Sequence, residues 1–309
     1  MLWRKRIQKL ALSLALFLLI PVLVWAGPHT GAAQTGQTVA VEHEISGARF
    51  EYEVTEGDTS RSIAAGFGEP DTLIADGAEP EPGTGIVVDN RHIAFALIPD
   101  GVVINIPQRM LFVFRDGRLA DAWPVTVGRP DWPTPVGSFY VASHRLDPTW
   151  HVPPAIREEM EEDGIDVGDE VKPGPKNPLG KHFLGLDHGS IGIHATNHPL
   201  SIFLFGSHGC IRLGPDAAAK LFRSVSDSEP VEIVYQPVAL AVLEDGRIFL
   251  ESDSDPYEKG RAHIEDVRAA ARTAGLQGAI DWPRASRVLA MVEGVARRID
   301  KQARSAAAN

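Results

Sequence analysis

Residues 205–214 read FGSHGCIRLG and contain the only cysteine of the 309-residue chain. His208 stands two positions before Cys210, His194 sixteen before it in SIGIHA, and His198 between them in ATNHPL. Histidine near a single cysteine permits nucleophilic catalysis, because imidazole takes the thiol proton and the thiolate is the reactive species. A free thiol with a pKa of ~8.5 is only slightly ionised at neutral pH, and a nearby imidazolium lowers it by about one unit or more. Gly209 suits a close approach of backbone to substrate, and the amides around Gly209 and Cys210 could form an oxyanion hole.

Two other readings stay open on these residues. Cys210 could be a small buried hydrophobe, the commonest fate of a lone cysteine. Zinc held by His194, His198, His208 and Cys210 is chemically allowed, although the separation of His208 and Cys210 is not a usual ligand spacing. The residues favour cysteine-based acyl transfer without naming the acyl group.

The compartment bears on how the thiol survives. MLWRKRIQK carries four cations and no acid, and the apolar run LALSLALFLLIPVLVWA follows from Leu10 to Ala26. This reads as an export signal, cleaved after Ala26 or retained as a membrane anchor through residues 10–26, and places the protein in the periplasm or cell envelope. A lone cysteine cannot form an internal disulfide, so in an oxidising compartment it must be buried, shielded or used. Losing Arg4, Lys5, Arg6 and Lys9 would take the net charge from −11 to −15, which disfavours nucleic-acid partners.

The elements that would position these residues follow from the rest of the pattern. Residues 27–48 are small and polar at the start and read as a flexible linker. RFEYEVTEGDTSRSIAAGFG from Arg49 gives an alternating strand, a Gly57-Asp58 turn and a helix start at Thr59. From Val102, VVINI, MLFVFR and RLADAWPVTV around Asp116-Gly117 predict strands and a two-residue hairpin loop, and GSFYVAS, SIGIHA and VEIVYQ continue the strands. The Pro/Gly-rich stretch from Pro148 to Leu186 is too long for a simple connection and reads as a lid or a wall for substrate. Pro215 opens a helix. Beyond Gln236 a second Asp-Gly hairpin precedes two helices. In the last, Val288, Val292, Val295 and Ile299 form an apolar face against Arg287, Glu293, Arg297, Arg298 and Lys301.

IGIHATNHPL followed by SHGCIRL resembles the signature of the YkuD-type L,D-transpeptidases. The resemblance extends over Val102–Gln236 and includes the family's T-P-x-G turn, here Thr134, Pro135, Val136 and Gly137. Residues 49–97 resemble a degenerate LysM module, a small glycan-binding fold. The long loop, with PTWHVPP and GPKNPLG, resembles the subgroup that carries such a module. Ala195 replaces the family's usual glycine, and its methyl is expected to narrow the site slightly.

The resemblance implies a mainly β fold, with a β-sandwich-like catalytic domain over 101–236 and a small α+β LysM-like module over 49–97; the hairpin and helical extension over 237–309 lies beyond it and is read from the residue pattern alone. It implies Cys210 as nucleophile and His194 as base, oriented by a backbone carbonyl. His208, Gly209 and Ser207 would shape the oxyanion site, and Arg212, Asn197 and Thr196 would bind substrate, with no metal or organic cofactor. The implied donor is a peptidoglycan stem tetrapeptide, cleaved between diaminopimelate and D-alanine. The acceptor would be another stem peptide, a lipoprotein lysine or, in a carboxypeptidase, water. A non-catalytic zinc or cell-wall-binding protein is the alternative from another class.

Overall fold

The computed structural model describes residues 39–187 and 191–301, so the export segment and most of the expected linker lie outside it. Among the described residues no helix is long and apolar enough to cross a membrane. The chain is mainly β.

The N-terminal part runs through β1 (Ala40–Glu42), β2 (Glu44–Ser46), β3 (Arg49–Glu53), α1 (Ser60–Phe67), a 3-10 turn (Asp71–Gly77), β4 (Gly85–Asp89) and β5 (His92–Ala94). Strand β3 pairs with β4 and β2 with β5, both antiparallel. Helix α1 starts where Thr59 and Ser62 cap one another reciprocally, and it stops at Gly68, whose φ of +79° suits glycine. Asp58 holds the preceding turn by accepting from the Thr55 amide at 2.7 Å and the Tyr52 hydroxyl at 2.8 Å. Ile63, Ala64, Ile74 and Val88 make a small local core with Phe50 and Tyr52 against it.

The central part comprises β6 (Gly101–Asn105), β7 (Met110–Arg115), β8 (Arg118–Gly128), β9 (Gly137–Leu146), β10 (Trp150–His151), α2 (Pro154–Glu162), β11 (Glu170–Val171), β12 (His182–Leu186), β13 (Gly192–His194), β14 (Phe205–Ser207), β15 (Ile211–Leu213), α3 (Pro215–Ser224) and β16 (Pro230–Val234). Nine strands form one sheet in the order β14-β8-β15-β13-β12-β9-β16-β6-β7, and β7 also pairs with β8. The sheet therefore curls until its ends meet on β8. That strand's 11 residues suffice for both jobs: the first half pairs with β7, the second with β15 and β14. The β7–β8 loop is Asp116-Gly117, both at positive φ, as a primed two-residue turn requires.

Strand β7 is apolar on both faces, and the fold explains why. Leu111 and Val113 point into the closed sheet. Met110, Phe112 and Phe114 point outward into a second core with Ile93 and Phe95 from the N-terminal part and Ala241 and Phe249 from the C-terminal part. Alternate residues of a strand face opposite sides, so a strand covered on both reads as a continuous apolar run.

The C-terminal part adds β17 (Val238–Val242), β18 (Ile248–Ser252), α4 (Ile264–Thr273), α5 (Trp282–Met291) and β19 (Arg297–Arg298). Its sheet has the order β1-β17-β18-β19, so Ala40–Glu42, expected in a linker, is a paired strand running parallel to Ala239–Ala241. Val39 is buried in the same core, which a tether could not be. The expected last helix is also corrected. It ends at Met291, Val292 turns to a left-handed φ of +54°, and Arg297–Arg298 pair with the edge of β18. Val295 and Ile299 are buried as their spacing suggested, but on an extended segment. The open edge of β18 takes Arg297–Arg298 as partner, a demand that helical periodicity does not register.

Candidate active site

Strands β13 and β15 lie side by side in parallel, with Ile193 opposite Ile211 and His194 opposite Arg212. Ile193 and Ile211 are buried in the core of the closed sheet. Alternation then turns His194, Cys210 and Arg212 to the other face, where all three line a cavity of about 650 Å³. Sixteen residues of separation become neighbouring strands.

His194 is buried, with Nδ1 2.5 Å from the Ala195 carbonyl oxygen and its ring stacked on Phe183 at 6.0 Å. Burial holds its pKa down at about 4, and the Arg212 cation adds to this, against the carbonyls of Ala195 and Leu179. Burial likewise pushes the Cys210 thiol up, opposed by the Gly192 backbone and the charge of Arg212. Burial thus favours the uncharged form of each group, thiol and imidazole. The same dry wall that disfavours the thiolate also disfavours the imidazolium expected to lower its pKa.

Two hydroxyls fix the backbone on either side of the sulfur. Ser207 Oγ donates to the Cys210 carbonyl at 2.5 Å and accepts from the Gly209 amide at 3.1 Å. Thr134 Oγ1 donates to the Gly209 carbonyl at 2.9 Å and accepts from the Gly128 amide at 2.8 Å. Gly209 sits at φ +101°, a conformation that side chains resist. Its amide is engaged by Ser207, so Gly209 shapes the turn instead of offering its own N–H to an oxyanion.

The remaining residues divide. Arg212 lines the cavity with its Nε unpartnered and buried, and Asn197 lines it with Nδ2 on the Pro175 carbonyl at 3.2 Å. Thr196 is off the cavity wall: it is buried, and its Oγ1 accepts from the His198 amide at 3.0 Å, so it braces a turn. The Ala195 methyl also points away, into the core, where a Cβ on Gly180 would come within 2.6 Å of it. It does not narrow the site. Among the described residues no three His, Cys, Asp or Glu side chains converge as metal ligands, so the zinc set weighed above does not assemble.

The long stretch after Pro148 folds over the site, with β10 paired to β11 and α2 between them. Glu159 on α2 accepts from Arg129 at 2.6 Å and lies 3.0 Å from His208 Nε2. The Arg129 guanidinium, with His208 beside it, holds the Glu159 carboxyl down at about 2. His208, packed edge-on against Trp132 at 5.1 Å, thus ties the cavity's lid to its floor. Sequence reasoning missed Glu159, one acid in the run EEMEE with nothing to single it out. It also missed Tyr257, whose hydroxyl reaches the turn below Cys210 from the C-terminal part.

The fold and this site define a class. The L,D-transpeptidase catalytic domain family, YkuD, matches residues 99–233. The putative L,D-transpeptidase YqjB of Bacillus subtilis is 31% identical over 157 residues, 48% of this chain and 74% of that protein. The probable L,D-transpeptidase ErfK/SrfK of Salmonella typhimurium is 29% identical over 188 residues, 60% of each chain. YbiS of Escherichia coli, a probable L,D-transpeptidase, is 28% identical over 174 residues, 56% of each. This chain belongs to the YkuD family of L,D-transpeptidase catalytic domains. It spans less than two thirds of the length of the ErfK/SrfK and YbiS relatives. Among solved structures, L,D-transpeptidase 3 of Mycobacterium tuberculosis is 22% identical with a TM-score of 0.34, over 43% of this chain and 59% of that one.

Proposed function

We propose that the protein is an exported peptidoglycan L,D-transpeptidase with Cys210 as nucleophile and His194 as general base. The observation that carries the reading is that Cys210, directly before β15, and His194, at the end of the adjacent parallel strand β13, line one cavity. His194 Nδ1 donates to Ala195, so the tautomer leaves Nε2 with a lone pair for the thiol proton. The sulfur attacks the carbonyl carbon at the L-centre of diaminopimelate in a stem tetrapeptide as the imidazole takes its proton. The C–N bond to D-alanine then breaks, the imidazolium protonates the leaving nitrogen, and a thioester to Cys210 remains. An amine attacks the thioester, His194 takes its proton, and the thiol is restored. Arg212 supplies a cation for a carboxylate of the donor.

Stem-peptide amine as acceptor gives a 3→3 cross-link, a lipoprotein lysine gives an anchored lipoprotein, and water gives a tripeptide. A cavity of about 650 Å³, walled by the lid, offers room for a peptide donor beside Cys210.

The test incubates the purified protein with disaccharide-tetrapeptide and follows D-alanine release, dimers, tripeptides and the protein's own mass. A thioester adduct and 3→3 dimers are expected. Cys210→Ala and Cys210→Ser should remove both while leaving the fold intact, since a hydroxyl ionises far less readily than a thiol. Full turnover by either variant would end the covalent reading.

A further inference from the structure

We propose that Tyr257, in the C-terminal part beyond the family's matched residues, is a positioning residue for the nucleophile. The inference rests on the reading of Cys210 as the attacking group. The Tyr257 hydroxyl donates to the Gly128 carbonyl at 2.6 Å and accepts from the Thr134 amide at 3.1 Å. Thr134 in turn accepts from the Gly128 amide and passes its single hydroxyl proton to the Gly209 carbonyl. Tyr257 and Thr134 thus occupy both backbone polar groups of Gly128, and the continuous line ends on the peptide that carries Cys210. That peptide is planar, so fixing the Gly209 carbonyl fixes the direction from which the Cys210 backbone, and with it the sulfur, departs.

The phenol is itself held. Its ring stacks on Tyr235 at 5.3 Å and meets Phe205 edge-on at 6.4 Å. Its amide donates to the Tyr235 hydroxyl at 3.0 Å, and that hydroxyl donates to Asp255 at 2.5 Å. Asp255 also accepts from the amides of Lys259 and Gly260, which closes the turn around Tyr257. Two neighbouring close approaches leave little slack: a Cβ on Gly128 would lie 2.2 Å from the Trp132 carbonyl, and one on Gly209 3.2 Å from Ile191. The C-terminal part therefore does more than cover the closed sheet: through Tyr257, packed against that sheet's core, it holds the turn beneath the sulfur.

Tyr257→Phe keeps the ring and its stacking but removes both bonds of the hydroxyl. Acylation of Cys210 by a carbapenem, measured in single turnovers on the full chain, should slow on the order of tenfold or more. The half-saturation concentration should not move, nor should the rate of alkylation by iodoacetamide, which needs the thiolate but no aligned acyl carbon. Tm should stay within about 3 °C. Thr134→Val should slow acylation likewise, Thr134→Ser should retain the wild-type rate, and Tyr257→Phe with Thr134→Val should be little worse than either alone.

An unchanged acylation rate in Tyr257→Phe overturns the inference, as does an equal fall in alkylation, which would move the effect to ionisation of the thiol. Should Tyr257→Phe not fold, Thr134→Val and Thr134→Ser decide alone, and equal rates for the two count against it. Failure of the underlying reading looks different: the wild type would not be acylated, or Cys210→Ala would still turn over.

Discussion

The Nδ1 atom of His194 lies 2.5 Å from the carbonyl oxygen of Ala195, the residue that follows it. A carbonyl only accepts, so Nδ1 carries the proton, and burial then keeps the second proton off until about pH 4. An ordinary imidazole would lose its base form below about pH 6.5. The rate of Cys210 acylation should therefore show no inflection near pH 6.5 and fall only toward pH 4. His194→Gln should lower the rate about 10²-fold or more across this range. Stopped-flow acylation by a carbapenem between pH 4.5 and 8 reads both, and a wild-type inflection at 6.5 would reassign the base.

The N-terminal part should act as a support. Arg61 of α1 donates to the Ile202 carbonyl, and Phe203 is buried between the Arg109 guanidinium at 4.1 Å and the His92 ring at 6.0 Å. Both contacts brace the segment between His194 and Cys210. A chain beginning at Gly101 would strip Ile93 and Phe95 from the core around Met110, Phe112 and Phe114 and leave that face partly uncovered. It is expected to aggregate, as judged by soluble yield and gel filtration. The isolated residues 39–97 should sediment weakly with peptidoglycan sacculi, since Asp58 and Tyr52 are bonded to each other at the better-preserved turn. A soluble, active shortened enzyme with tight sedimentation of the isolated segment would reverse this picture.

Glu159 offers a handle on the lid. Its carboxylate stays charged down to about pH 2 and bonds both Arg129 and His208. Glu159→Ala should free α2 from the floor of the cavity, raise the half-saturation concentration for the acyl donor several-fold and leave the maximal rate less affected. Limited proteolysis between Trp150 and Val171 should accelerate in parallel. Wild-type values for both would mean that the lid stays closed through other contacts.

Glu69 should make the fold sensitive to alkaline pH. It is buried, its carboxyl is pushed up to about 7 chiefly by that burial, and it accepts from the Asp89 amide at 3.0 Å. A folded pKa above the unfolded one means that the folded state binds the extra proton. The stabilisation is complete below about pH 4.5 and disappears as pH rises through 7, a difference of about 3 kcal/mol at most. Glu69→Gln keeps the acceptor and removes the charge, so its Tm should exceed the wild type's at pH 8 and match it near pH 5. Equal pH dependence of the two proteins by calorimetry would contradict this.

Much of the site was legible in the sequence because its chemistry is local. Ser207, His208, Gly209, Cys210 and Arg212 lie on one short segment, from the end of β14 into β15, and their residue types suggest the chemistry before any fold is known. The strands were legible too: the apolar run MLFVFR and the Asp116-Gly117 turn are short-range facts, and β7 and its loop fall where that pattern puts them.

Tertiary structure decided what the chain must reach across. Val288, Val292, Val295 and Ile299 keep helical spacing, yet the unpaired edge of β18 drew Arg297–Arg298 into a strand. Ala40–Glu42 looks like tether until β17 lies beside it. The protonation of the site could not be read from a cysteine and a histidine, since burial, not residue type, holds one pKa up and the other down. Glu159 and Tyr257 carry no local mark because their partners, His208 and Gly128, lie 49 and 129 residues away in the chain, and only a closed sheet brings such distant groups within hydrogen-bond reach.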